Sequence, residues 1–292
     1  MEKHFLVTVS EQKNVLHGVR FVEQFFPVKD NIKLTLFYAA PRPAPEWDSG
    51  RLHDNRSSVE QQARENRAVG QEALEAAKAY LLDEGFKDAQ IQTKFHLRQL
   101  SKVRDIIEES SQGGYDAVVF GRRGLSWLAE MMDGSVTKEL FDHEFDVPIW
   151  LCRRSDADRK DVLLCLDGSR SSGNVADHVG FILGPDSKHK VTLYMVTKKG
   201  QKESPGSQSI ISEGRKHLLA NGFPENLLEV KVVEDSDVSK SILKEAEQGG
   251  YAAVATGRVG AGKASGKKKN QTGSVTRTLL KELERTALWT CY

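Results

Sequence analysis

The chain repeats itself, and a duplicated chain must fold as two copies of one unit. Residues 112 to 119 read QGGYDAVV, and residues 248 to 255 read QGGYAAVA. A Gly-Arg-x-Gly turn follows each, Gly121 to Gly124 and Gly257 to Gly260. Gly-Ser-Val-Thr then occurs at Gly134 to Thr137 and at Gly273 to Thr276. Each half closes on a short apolar segment, Val147 to Cys152 and Ala287 to Tyr292. The earlier parts agree more weakly: Phe5 to Ser10 with Val162 to Asp167, Leu34 to Phe37 with Val191 to Tyr194, and Leu81 to Phe86 with Leu218 to Phe223. Order and spacing hold throughout, which marks a duplication. The polar run Arg153 to Lys160 separates the copies, giving expected domains at 1–153 and 160–292.

Within each copy short apolar runs alternate with helical patterns. In the first, strands are expected at 4–10, 32–38, 90–96, 115–120 and 147–152, and helices near 13–26, 58–84, 101–112 and 135–143. In the second, strands fall near 161–167, 190–196, 228–233, 251–256 and 287–291, with four helices between them. Ser57 and Glu60 fit a capping box, and Gly85 and Gly113 fit left-handed helix stops. This alternation predicts an α/β fold of two tandem, doubly wound domains. Each is a mainly parallel sheet with helices on both faces. Ligands of such sheets bind beyond the C-terminal strand ends where strand order reverses, here beside strands 1 and 4.

Composition limits the functions. A net charge of +1 argues against broad binding to a nucleic-acid backbone. Three cysteines, Cys152, Cys165 and Cys291, fit no zinc motif and read as reduced, mostly buried thiols. No apolar run approaches a membrane span, and MEKHFLVTVS lacks the features of a signal peptide, so a cytoplasmic location is expected. The eight histidines show no ligand spacing, and no nucleophile, base and orienting acid stand together. No metal ligand and no catalytic residue is assigned.

One motif carries chemistry. Residues 121 to 135, GRRGLSWLAEMMDGS, run from a strand end through a glycine turn to a helix start. Glycines admit backbone N–H groups close to a ligand, and a helix N-terminus adds free donors and partial positive charge. Together they suit phosphate, with Ser135 as a further donor and Arg122 or Arg123 as a charge. Gly-x-x-Gly, nine residues, then Gly-Ser resembles the phosphate loop of ATP-binding universal stress proteins; Gly121, Gly124, Gly134 and Ser135 match it position for position. Val136 and the Val147-Pro148 strand start also look like that family.

The resemblance implies a five-stranded sheet of order 3-2-1-4-5 in each half and a stress-response role through an adenine nucleotide. The ligand it implies is ATP or a relative, with or without Mg2+. It places adenine contacts at Tyr38 and Ala39, mainly through backbone, and a ribose- or metal-side acid at Asp167. It extends the phosphate loop to Gly257, Gly260, Gly273 and Ser274 in the second half. It also implies that the two halves pack as an intramolecular pseudo-dimer through their last strands, where Trp150, Trp289 and Tyr292 suit a buried seam. A further homodimer is left open.

The halves depart from the family pattern in opposite ways. The first has Ser10 where the acid belongs. The second has Asp167, but twelve residues, AGKASGKKKNQT, separate Gly260 from Gly273. Lys263 and Lys267 to Lys269 either clamp phosphates or sit in a solvated loop. Gly257 to Lys263 also spells most of a Walker A motif, but Ala264 replaces its hydroxyl residue, and the match is taken as chance. Asp167 has a second reading as a cap of the following helix. The Pro-rich stretch 39–56 reads as a lid or as an ordinary connection. The chain thus reads first as a regulatory nucleotide-binding module. The alternatives are a slow ATP hydrolase and a structural pseudo-dimer with empty, degenerate sites.

Overall fold

Strands buried on both faces are near-continuous apolar runs, and the central strands here have that character. The computed structural model describes residues 1–11, 16–43, 56–99, 102–121, 147–154, 156–261 and 272–292. Ten strands form one sheet: β1 (Lys3–Thr8), β2 (Ile32–Ala40), β3 (Ile91–Leu97), β4 (Ala117–Phe120), β5 (Ile149–Leu151), β6 (Val162–Cys165), β7 (Val191–Thr197), β8 (Leu228–Glu234), β9 (Ala253–Gly257) and β10 (Ala287–Cys291). Their order is β3-β2-β1-β4-β5-β10-β9-β6-β7-β8, so each half has the order 3-2-1-4-5. Every pairing within a half is parallel. β5 and β10 pair antiparallel, with Trp289 opposite Trp150.

Among the described residues the helices are α1 (His17–Phe25), α2 (Arg56–Asp83), α3 (Lys102–Gln112), α4 (Arg170–Leu183), α5 (Pro205–Ala220), α6 (Val238–Gln248) and α7 (Ser274–Glu282). They cover both faces. Val19 and Val22 of α1, Leu74 and Ala77 of α2, Val175 and Val179 of α4 and Leu218 of α5 share one core. Ile106 and Ile107 of α3, Ile242 of α6 and Leu279 of α7 share the other. The outer strands β3 and β8 are mostly exposed, and Lys94 and Lys231 sit on them, which discourages pairing with another chain.

The seam between the halves is aromatic. Trp150 and Trp289 are fully buried, with ring centroids 4.0 Å apart and planes within 4°. Phe5 of β1 packs on Trp150, and Phe25 of α1 packs on Trp289. Trp150 Nε1 donates to His178 Nε2 at 3.0 Å, so the neutral His178 ring carries its proton on Nδ1. Burial drives the His178 pKa down to about 3. Tyr292 is half-buried beneath the Arg258 guanidinium, 5.6 Å from its ring.

Several local expectations need correction. α2 opens at Arg56, and the Ser57 side chain, on which the expected capping box rests, lies outside the described residues. Gly85 does take a left-handed conformation, at φ 90°. After α3 that conformation belongs to Gly114 (φ 61°) and not to Gly113; after α6 it belongs to Gly250 (φ 63°). Gly113 and Gly249 serve a different need, since a Cβ at either would collide with the ring of Tyr115 or Tyr251 two residues on. α1 begins at His17, four residues later than the apolar pattern indicates. The expected helix at 135–143 and Trp47 lie outside the described residues.

Candidate functional site

In the second half the strand order reverses between β6 and β9, and a cleft of about 430 Å³ opens at their C-terminal ends. Its floor is Cys165 to Asp167 from β6 and Thr256 and Gly257 from β9. One wall is apolar, made by Tyr194 and Val196 of β7 with Val238 and Ile242 of α6. The other wall is Gly260 and the start of α7, Gly273 to Thr276. This volume is in the ordinary range for a small-molecule pocket.

Glycine makes the polar wall. A Cβ on Gly257 would lie 2.7 Å from Ser171 Cβ and 2.8 Å from Ser172 N, so only glycine lets α4 begin this close to β9. The chain then turns, and Gly273 N donates to Arg258 O at 2.7 Å. Thr276 Oγ1 donates to Gly257 O at 3.1 Å. These two bonds bring Gly273-Ser274 onto the Gly257–Gly260 turn across the intervening insert. The first intrahelical bond of α7 is Arg277 N to Gly273 O, at 3.1 Å. The amides of Ser274, Val275 and Thr276 therefore have no acceptor within the helix. The cap residue is Gly273, which has no side chain to cap them. The cleft thus presents a helix N-terminus of partial positive charge.

Asp167 lies opposite. Its Oδ1 accepts from Ser169 N at 3.0 Å, and its Oδ2 accepts from Ala261 N at 3.0 Å. The cap of α4 is Ser169, whose Oγ accepts from Ser172 N at 3.1 Å. Asp167 therefore shapes the turn before that cap and ties β6 to the loop after β9. Tyr194 is set by α6, its hydroxyl 2.8 Å from Ser241 Oγ, and burial raises its pKa above the usual phenol value. Burial also raises the Cys165 thiol well above its usual range, which leaves it protonated.

Asp167, Gly257, Gly260, Gly273 and Ser274 thus meet in one cleft. In the first half, Gly121 ends β4 and faces the first turn of α1, with Gly18 N 3.4 Å from where its Cβ would be. That is the place Gly257 takes against α4. Arg122, Gly124, Gly134, Ser135 and Val136 lie outside the described residues, as do the insert's lysines. Tyr38 and Ala39 are both buried in β2 but face opposite ways. The Tyr38 ring stacks on Phe95, with centroids 6.0 Å apart, on the face covered by α2. Ala39 belongs to the other face, the one that carries the cleft in the second half. Sequence reasoning passed over Tyr194, Val196, Val238 and Ile242. The repeat contained a signal for one of them, because Leu34 to Phe37 matches Val191 to Tyr194 and so makes Val196 the counterpart of Ala39.

The universal stress protein family model matches residues 1–153. The chain belongs to the universal stress protein family. Its fold is shared with a universal stress protein from Archaeoglobus fulgidus DSM 4304, at a TM-score of 0.64 and 16% identity over 99% of this chain and 95% of that one. A putative universal stress protein from Pseudomonas aeruginosa UCBPP-PA14 superimposes at a TM-score of 0.55 and 14% identity, covering 99% of this chain and 93% of that one. Comparison with curated protein sequences finds no match. No helix among the described residues is long and apolar enough to cross a membrane, and no group of three His, Cys, Asp or Glu among them is placed to hold a metal ion.

Proposed function

We propose that this universal stress protein is a regulatory module that binds an adenine nucleotide, ATP or a relative, in a stress response. The observation that carries the reading is the convergence in one cleft of the Gly257–Gly260 pair, the glycine-capped start of α7 at Gly273-Ser274 and an apolar wall, at a strand-order reversal. Amides and a helix N-terminus suit phosphate, and the wall of Tyr194, Val196, Val238 and Ile242 suits a base. In this reading 1–153 and 160–292 are two nucleotide-binding domains held as an intramolecular pseudo-dimer by the β5–β10 pairing. The halves are unequal. The first keeps the compact nine-residue loop, while the second must order a longer insert before its lysines can help. Lysine attraction is also screened by salt, so the second site weakens more as salt rises.

Mass spectrometry of small molecules released from freshly purified, denatured protein tests the reading. It predicts an adenine nucleotide among them. A protein that carries none and binds none when supplied would refute it and favour a structural pseudo-dimer. Turnover of labelled ATP distinguishes a hydrolase from a binding module.

A further inference from the structure

We propose that a pocket between the two halves, at the N-terminal ends of their strands, binds a small carboxylate with an apolar body, and that Lys3 receives its charge. The proposal is independent of the nucleotide reading, whose cleft opens at the opposite strand ends.

The duplication builds the pocket. Leu34 to Phe37 matches Val191 to Tyr194, so the connection leading into β2 and the one leading into β7 are counterparts. Both border one cavity of about 440 Å³, a volume in the ordinary range for a small-molecule site. Phe26 and Ile32 line it from the first half, and Phe181 and Ile182 from the second. Beside them Phe25 of the first half stacks on His189 of the second, with centroids 4.2 Å apart and planes within 4°. A ligand in this cavity therefore touches both halves at once. The rim is apolar too, since Val28 lines the cavity and is exposed. Apolar walls open to water favour an occupant with an apolar body.

Charge defines the other end of the ligand. Lys3 begins β1 and lines the cavity, with its Nζ 6.0 Å from the centre of the Phe181 ring. No hydrogen bond or ion pair reaches that ammonium among the described residues. Burial lowers its pKa, and the more distant charges of Asp116 and Asp186 oppose this only in part. Asp116 is already engaged, because its Oδ2 accepts from His4 N at 2.7 Å. Asp186 and Lys188 stand exposed at the rim with opposite charges, where solvent and salt screen both. A half-buried ammonium without a partner gains a charge-assisted bond when an anion enters on an apolar body. One ammonium answers one negative charge, which favours a carboxylate over a doubly charged phosphate.

The test is site-resolved NMR on the full-length chain, following the amide signals of Lys3, Asn31, Gly184 and Asn221. The probes are 4-phenylbutanoate and its uncharged amide, 4-phenylbutanamide, which has the same body. The acid should shift these signals saturably and bind roughly tenfold more tightly than the amide. Lys3→Met keeps the length of the side chain and removes its charge. It should bring the acid down to the affinity of the amide and leave the amide within about twofold. Circular dichroism checks that the variant folds; if it does not, the ratio of acid to amide affinity in the unaltered chain decides. The proposal is overturned if the acid gives no saturable shift at these four residues, or shifts only the signals of Gly257 to Gly273. It is equally overturned if acid and amide bind the unaltered chain alike, or if folded Lys3→Met holds the acid as tightly as the unaltered chain does.

Discussion

Trp150 and Trp289 offer a matched comparison, because they stack on each other in the same buried seam but differ in one hydrogen bond. Both are fully buried, so replacing either with Phe removes similar apolar surface and leaves a similar cavity, costing about 1–2 kcal/mol. Trp150 Nε1 donates to buried His178 Nε2 at 3.0 Å, whereas Trp289 Nε1 is buried with no hydrogen-bond partner. Trp150→Phe therefore also leaves a buried acceptor unsatisfied, a further cost of about 1–3 kcal/mol. Trp289→Phe removes a donor that had nothing to bond and recovers part of its packing loss. The expected costs are about 3 kcal/mol for Trp150→Phe and about 1 kcal/mol for Trp289→Phe. Guanidinium unfolding followed by far-UV circular dichroism at neutral pH measures both, provided the slope of each transition is unchanged. Adding His178→Phe to Trp150→Phe should recover part of the loss, since both bonding partners are then apolar. Equal costs for the two tryptophans, or a larger cost for Trp289→Phe, would refute the reasoning.

Three further outcomes are expected. The folded state holds His178 neutral down to about pH 3, while the unfolded chain takes up that proton near pH 6.5. His178 therefore contributes its full stability above about pH 6.5, and as pH falls from there toward 3 up to about 1.4 kcal/mol is lost per pH unit. His178→Phe should make the acid loss of stability shallower in denaturant melts between pH 7 and 4. Gly257→Ala should both destabilise the fold by about 1–3 kcal/mol and abolish ligand binding in the second cleft, because its Cβ drives the start of α4 away from β9; unfolding and NMR titration of the same variant check the two effects. Gly114→Ala and Gly250→Ala should each cost about 1 kcal/mol from left-handed strain alone, while Gly113→Ala and Gly249→Ala should cost more because a tyrosine ring must move.

The fold was legible because burial on two faces writes itself as apolar runs, and the duplication let each half check the other. Strand ends were less legible, since a terminal residue is set by pairing with a neighbour far away in sequence. The Gly113–Gly114 pair shows a finer limit. Sequence marks a helix stop there, but which glycine turns left-handed depends on where the Tyr115 ring packs. The polar wall of the site was readable, as Gly257, Gly260, Gly273 and Ser274 share one motif. The partner of Asp167 was not, because Ala261 lies 94 residues away and contributes only its backbone amide. The apolar wall was hidden for a related reason. Tyr194 owes its place to Ser241 on α6, a contact that neither strand nor helix periodicity encodes.

Photolabelling with 8-azidoadenosine monophosphate, followed by peptide mapping, tests the central claim most directly: the cleft between β6 and β9 holds an adenine nucleotide. The account predicts labelling in peptides containing Tyr194 to Val196 or Val238 to Ile242, suppressed by excess AMP. Labelling that avoids both segments, or that excess AMP leaves unchanged, would contradict it.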